Sequence, residues 1–511
     1  MSVARTRVVS LLGLRGAVVE VEADISDGLP KFMIIGLPDA SLGEARDRVR
    51  SAASNSGCPL PPRKLTINLS PASLPKQGSA FDLGIAVAAL AAADLIEPES
   101  IQRVVHLGEL GLDGRLRPVN GVLPAVLGAQ RAGAEIVMVP TANGDEASLV
   151  PGIRVVEVAT LRDAAIWHGG DLTPEQADPI LLPDDGEDTA AVPELGDVIG
   201  NAAAVEALIT AAAGGHHLLM VGPPGAGKSM LAARLPGILP DLDVAGALEV
   251  TSIRSLSGRA VRGALEMRPP FESPHHTCSA ASLIGGGSAV LRPGAASRSS
   301  RGVLFLDEAP EFAPTVLDCL RQPLESGEIA IHRAKSVATF PARFQLVLAA
   351  NPCPCGQYGS RDVACTCSPN ERRRYLARLS GPLLDRIDIQ LRVGRIGSTQ
   401  FRMADDAALR TVTTAEARLR VAEARSRAKR RLRGTPWSLN SEVPGKWLRS
   451  GGNQLSPDDT SVVDRALESG YLTMRGYDRV LRIAWTLADL AAVSRPDGRH
   501  VAGALSLRRP M

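Results

Sequence analysis

The chain has 511 residues, 45% apolar and 22% charged, a soluble globular profile too long for one core, so roughly three domains of about 100–200 residues are expected. A net charge of +2 excludes recognition of nucleic acid by overall charge and leaves only local patches for it. The longest apolar run, Leu83 to Ala93, is far short of the roughly 20 residues that cross a bilayer, the first residues lack the apolar core and cleavage site of a secretory signal, and seven cysteines are too few for a disulfide scaffold; a cytoplasmic protein with no membrane partner is expected.

Residues 1–170 mix strand-like runs (Val18–Val21, Met33–Ile35, Leu65–Leu69, Glu135–Val139) with helix-like runs (Ala40–Ser54, Leu83–Ala93, Leu123–Ala132). This pattern predicts an α/β or α+β domain. Residues 171–193 turn acidic and proline-bearing and read as a solvated linker.

Residues 194–395 hold most of the chemistry. A short apolar strand, His217–Val221, runs into Gly222-Pro223-Pro224-Gly225-Ala226-Gly227-Lys228-Ser229 and then into a helix-like stretch. This is the G-x-x-x-x-G-K-[ST] phosphate loop in its strand–loop–helix setting. The glycines let backbone N–H groups point at phosphate oxygens, and the helix N-terminus adds partial positive charge. Lys228 is expected to reach the β- and γ-phosphates of ATP, and Ser229 to ligate Mg²⁺.

Downstream, Gly302–Leu306 forms a second apolar strand ending in Asp307-Glu308. Two carboxylates at a strand tip suit Mg²⁺ (Asp307) and polarisation of the attacking water (Glu308). A third strand, Phe344–Ala350, ends in Asn351, either an orienter of the same water or a turn former before Pro352. In Ser380–Asp388, Arg386 is either an exposed residue aimed at the nucleotide of an adjacent subunit or a surface partner of Asp385 or Asp388.

Between these motifs, Cys353, Cys355, Cys365 and Cys367 give C-x-C, nine residues, C-x-C. Four thiolates so close can close a tetrahedral Zn²⁺ site; the alternative is reduced thiols in an ordered loop. Residues 396–511 look helical. Within them Glu416–Arg433 carries eight basic and two acidic residues, suited either to nucleic-acid phosphates or to a solvated or intersubunit helix face. Arg361 and Arg372–Arg374 add positive charge near the cysteines. With aromatics at 3%, backbone tracking is expected rather than base stacking.

Taken in order, the blocks GLPDASLGEARDRVRSAASNSG, LPKQGSAFDLGIAVAALAA, SPHHTCSAASLIGGG, GVLFLDEAPEF, LRQPLESGEIAIHRA, NPCPCG and SGPLLDRID, with the phosphate loop, resemble the ComM/YifB family of magnesium-chelatase-like AAA+ ATPases. The resemblance implies an AAA+ core with a helix-two insert around His275–Gly287 facing a ring pore, and a C-terminal helical lid. It implies a homo-hexamer in which Arg386 is the arginine finger, and a sensor-two arginine in the lid, Arg475, with Arg479 as runner-up. It also implies DNA, single-stranded or branched, as partner, and a motor for branch migration during natural transformation. An ATPase subunit of a metal-chelatase-like or protein-remodelling complex is the alternative.

Against the family pattern, the stretch Pro293–Arg301 here gains Arg298 and Arg301, and Trp485 stands where relatives carry Arg. Residues 1–165 resemble the Lon-type protease domain, with Ser79 near the nucleophile position. Leu123 stands where a base lysine belongs, and an apolar side chain cannot take a serine's proton. A non-proteolytic assembly or docking module is therefore expected.

Overall fold

The computed structural model describes residues 3–36, 40–76, 78–178, 180, 192–287, 291–333, 336–359, 364–395 and 412–508. Most of the acidic linker, Arg361, and the first residues of the C-terminal segment lie outside the described residues.

The N-terminal part is built on a seven-stranded sheet in the order Lys31–Ile35, Lys64–Ser70, Arg15–Ser26, Ala4–Leu12, Val104–His106, Ile136–Pro140, Arg154–Val158. Along Ala4–Leu12 buried and exposed residues alternate at first, the period-2 pattern of a strand with one covered face. Helix Asp82–Ala92 is apolar nearly all round and lies buried against one face. Helix Val122–Arg131 covers the other face, where Gly128 packs directly on the backbone of Gly16; a Cβ there would come within 2.7 Å.

The second sheet is parallel and five-stranded, in the order Phe271–Glu272, Val303–Leu306, Gln345–Ala350, Leu218–Val221, Ile389–Arg392. Its inner strands are fully buried and read as nearly unbroken apolar runs, as strands covered on both faces do. All five C-terminal ends point the same way, which is where parallel α/β sheets bind ligands. Strand Gln345–Ala350 lies between the strand ending at Val221 and the strand ending at Leu306.

Beyond it come helices Thr414–Arg431, Pro457–Glu468, Met474–Leu490 and Gly498–Ser506. Their apolar faces share one core with helices Ala202–Gly214 and Lys228–Ile238, through Val421, Ala424, Val480 and Ile483. A buried polar network adds to this join. His216 Nε2 lies 2.8 Å from Thr486 Oγ1, and Asn440 Nδ2 donates to Thr486 Oγ1 at 3.0 Å and to Asp489 at 2.9 Å.

The basic stretch is helical, as its pattern predicts, and several of its arginines contact other elements of the chain. Arg420 pairs with Glu206 at 2.7 Å, Arg418 with Asp241 at 2.5 Å, and Arg431 with Asp489; Arg425 donates to the carbonyl of Ala212 at 2.7 Å. Arg431 also lies over the Trp485 ring, 4.4 Å from its centroid. Lys429, Arg430 and Arg433 remain exposed at the helix's C-terminal end.

The N-terminal part docks on the parallel-sheet part. Buried Glu146 accepts from the Ser255 hydroxyl and from the Leu123 N–H at 2.7 Å. The Gly121 N–H donates to the Ser255 carbonyl at 3.3 Å. Leu11 and Leu14 pack against Leu256, Leu291 and Phe340.

Candidate nucleotide site

The phosphate loop bends where glycine allows it: Gly225 and Gly227 have φ of 75° and 86°. Gly222 is needed for a different reason, because a Cβ there would lie 2.1 Å from the Val393 carbonyl oxygen. Helix Lys228–Ile238 follows at once, so its unpaired N–H groups face the loop.

Lys228 is 8% exposed and bridges the ends of two neighbouring strands. Its Nζ donates to the carbonyls of Gly222 at 2.7 Å and Pro223 at 3.1 Å, and to Asn351 Oδ1 at 3.2 Å. Burial lowers the pKa of its ammonium, and Asp307 and Glu308 oppose that shift. Ser229 Oγ donates to Asp307 Oδ2 at 2.6 Å. The loop and the strand-end acids thus face one another across a cleft of about 450 Å³, lined by residues 224–230, 307, 308, 350 and 351.

Glu308 leaves the strand in a left-handed conformation, φ 50° and ψ 42°, which costs a non-glycine residue energy. Its carboxylate is exposed on the cleft, with Oε2 3.2 Å from His276 Nδ1. Sequence reasoning placed His276 only in the insert and did not connect it to the acids. The adjacent histidines in SPHH were the only signal.

Ser229 and Asp307 offer two oxygen ligands at the spacing of a shared contact, the donor chemistry a hard cation such as Mg²⁺ takes. The cysteines form a second candidate centre. Cys353 Sγ lies 3.4 Å from Cys355 Sγ and 3.6 Å from Cys365 Sγ, and all four sulfurs, that of Cys367 included, are within 4.8 Å of one another. Ligands about 2.3 Å from a central zinc stand roughly 3.8 Å apart in a tetrahedron, so the set fits Zn²⁺. The Gln357 backbone N–H pulls the Cys355 thiol down to about 6, whereas burial raises that of Cys365 and that of Cys367 is also raised, so the fit to a metal rests on the sulfur spacing. Gly356 in this loop touches the phosphate loop: a Cβ on it would meet the Pro224 ring at 2.7 Å.

Arg386 and Arg475 do not line this cleft. Arg386 bonds the Pro382 carbonyl and Glu325, and burial together with Arg475, Arg479 and Arg321 lowers its pKa. Arg475 is exposed and lies 3.5 Å from Asp385, whereas Arg479 is bound to buried Asp388. The two arginines that depart from the family pattern are also paired internally, Arg298 with Glu272 at 2.9 Å and Arg301 with Glu249 at 2.8 Å. In the N-terminal part, the Ser79 hydroxyl bonds the Glu109 carboxylate and Leu123 is fully buried.

Residues 194–401 match the family model described as magnesium chelatase, subunit ChlI; residues 21–143 match that of subunit ChlI of Mg-chelatase, and residues 411–508 that of the ChlI C-terminal region. Over its full length the chain is 48% identical to an uncharacterized protein of Mycobacterium tuberculosis, of which it covers 99%. It is 39% identical to competence protein ComM of Haemophilus influenzae, over 97% of this chain and 96% of that one. It is 38% identical to YifB of Escherichia coli, over 99% and 97%. A shorter stretch of 143 residues, 27% of this chain, is 29% identical to 18% of Lon protease 2 of Thermus thermophilus. On these matches, the chain belongs to the ComM/YifB family of magnesium-chelatase-like AAA+ ATPases.

Proposed function

We propose that this chain is an ATP-hydrolysing ring motor acting on DNA, for branch migration or unwinding in the recombination of incoming strands during natural transformation. The observation that carries the ATPase reading is the closure of the cleft: Ser229 Oγ on Asp307 at 2.6 Å, with Lys228 on Asn351 at 3.2 Å. The DNA reading is supported by 39% identity, over 97% of this chain, to a protein named for competence.

In this reading the backbone N–H groups of residues 222–229 cradle the phosphates and Lys228 neutralises the terminal ones. Ser229 and Asp307 would hold Mg²⁺, which when bound draws off negative charge from phosphate oxygens. Glu308 polarises the attacking water and Asn351 orients it. Arg386, set away from its own chain's cleft, serves the cleft of the next subunit in a homo-hexamer, and Arg475 acts as sensor two. Cys353, Cys355, Cys365 and Cys367 would hold a structural Zn²⁺ that stiffens the loop beyond Asn351. Residues 1–170 serve as an assembly or docking module without proteolysis.

The test is ATP turnover by the full chain with and without single-stranded and branched DNA, in wild type and Glu308→Gln. Turnover stimulated by DNA is expected, with Glu308→Gln lowering it on the order of 10²-fold or more while ATP still binds. Turnover indifferent to every DNA tried would favour a chelatase-like or protein-remodelling ATPase.

A further inference from the structure

The cations of helix Thr414–Arg431 and the turn after it fall into two groups. Arg418, Arg420, Arg427 and Arg431 each meet a carboxylate, and Arg425 meets a backbone carbonyl. Lys429, Arg430 and Arg433 differ. They are exposed, and among the described residues no carboxylate pairs with them; Arg430 donates to Ser426 Oγ at 3.2 Å.

These three cations line one cavity of about 310 Å³ together with Ser426, Trp437 and Ser438, and no acidic residue lines it. Positions 426, 429, 430 and 433 are three and four apart, so they share one side of the helix. The opposite wall is the turn that follows. Gly434, at φ 85°, reverses the chain. The Thr435 hydroxyl holds the turn, donating to the Leu432 carbonyl at 2.7 Å and accepting from the Trp437 N–H at 3.3 Å. Trp437 is thereby brought beside the cations, partly buried, with its ring edge-on to that of Trp447 at 6.0 Å between centroids.

Like charges three and four residues apart on a helix repel. The helix dipole favours cations at this end, but it accounts neither for three of them around a concavity nor for the indole among them. An anion seated there removes the repulsion, and an indole offers a face on which a flat base stacks. A phosphate that carries an unpaired base supplies both. A double helix keeps its bases stacked inward and supplies only the charge.

We propose that Lys429, Arg430, Arg433 and Trp437 form a binding site, separate from the ATP cleft, for the phosphates and one base of a single nucleic-acid strand. This deepens the reading of the chain as acting on DNA and rests on it.

The experiment titrates the full chain, as wild type, Lys429→Gln/Arg433→Gln, Trp437→Leu and Trp437→Phe, with a labelled oligothymidylate. Anisotropy at several salt concentrations and tryptophan emission are the readouts. The charge variant should bind on the order of ten-fold more weakly, with the slope of log K against log salt shallower by roughly one. Trp437→Leu should lose on the order of ten-fold in affinity with the slope kept. Trp437→Phe, which still stacks, should bind like wild type and lose most of the quenching that the strand causes. Circular dichroism checks folding, and the charge variant, altered only at exposed positions, carries the test if Trp437→Leu unfolds. A charge variant with wild-type affinity and slope overturns the site and leaves the DNA reading standing. A wild type that binds no strand overturns both. Quenching by thymidine monophosphate that the oligonucleotide does not reproduce overturns the strand in favour of a free nucleotide.

Discussion

Lys228 and Asn351 illustrate how little freedom the cleft leaves a single side chain. The lysine is nearly buried, and it donates to two backbone carbonyls and one amide oxygen. Replacing Asn351 with Ala removes that amide and the polar tip of the strand between the loop and the acids. Single-turnover measurements on Asn351→Ala should show hydrolysis slowed on the order of 10²-fold with ATP affinity within a few-fold of wild type. Loss of binding instead would make the asparagine a structural support for the loop. At this scale the sequence was most legible where chemistry dictates local spacing. The phosphate loop and the strand-end acids occupy fixed offsets from apolar runs. His276 escaped because the strand that carries its partner is distant in sequence yet adjacent in space. No local pattern encodes that contact.

The described part of the loop between Asn351 and the helix Pro369–Leu376 adjoins the cleft. Cys353 follows Asn351 by two residues, Gly356 touches Pro224, and the Tyr358 N–H donates to Cys353 Sγ at 3.4 Å. Arg372 lies over the Tyr358 ring, 4.0 Å from its centroid. Metal analysis of the purified chain should find about one zinc per chain, lost in Cys365→Ser/Cys367→Ser. The variant should also bind ATP more weakly, read by nucleotide titration, because the loop then presses on Pro224 without a fixed shape. A zinc-free preparation of full activity would remove this centre. Element type was legible here and in the helix Thr414–Arg431, where capping by Thr413 and Glu416 is written in the sequence. Which face of that helix meets solvent was not. Arginine stems pack as apolar rods, so Arg425 reads as surface charge while its head satisfies a backbone carbonyl inside.

Across the whole molecule, the two sheets are joined by more than a tether. Glu146 is buried and burial raises its pKa, with the Ser255 hydroxyl, the Leu123 N–H and the Asn143 amide offsetting it. Glu146→Ala leaves those donors buried without an acceptor, at a cost of about 3 kcal/mol. Calorimetry should show the single transition of the docked parts split into two, with ATP turnover falling less than stability does. An unsplit, unshifted transition would make the contact incidental. The two α/β halves could be read from periodicity. Their mating surface could not, because a docking face is built from residues that look like ordinary loop and core until the partner is known.

That mating surface bears on any attempt to express the ATPase segment alone. Cutting within the linker would lay Leu256, Leu291 and Phe340 open to water together, where Leu11 and Leu14 now cover them. An uncovered greasy face of this kind recruits whatever apolar partner is at hand. Particle sizes measured on such a fragment would then describe clumping through a torn seam, and only the undivided polypeptide can be trusted to report how many copies assemble.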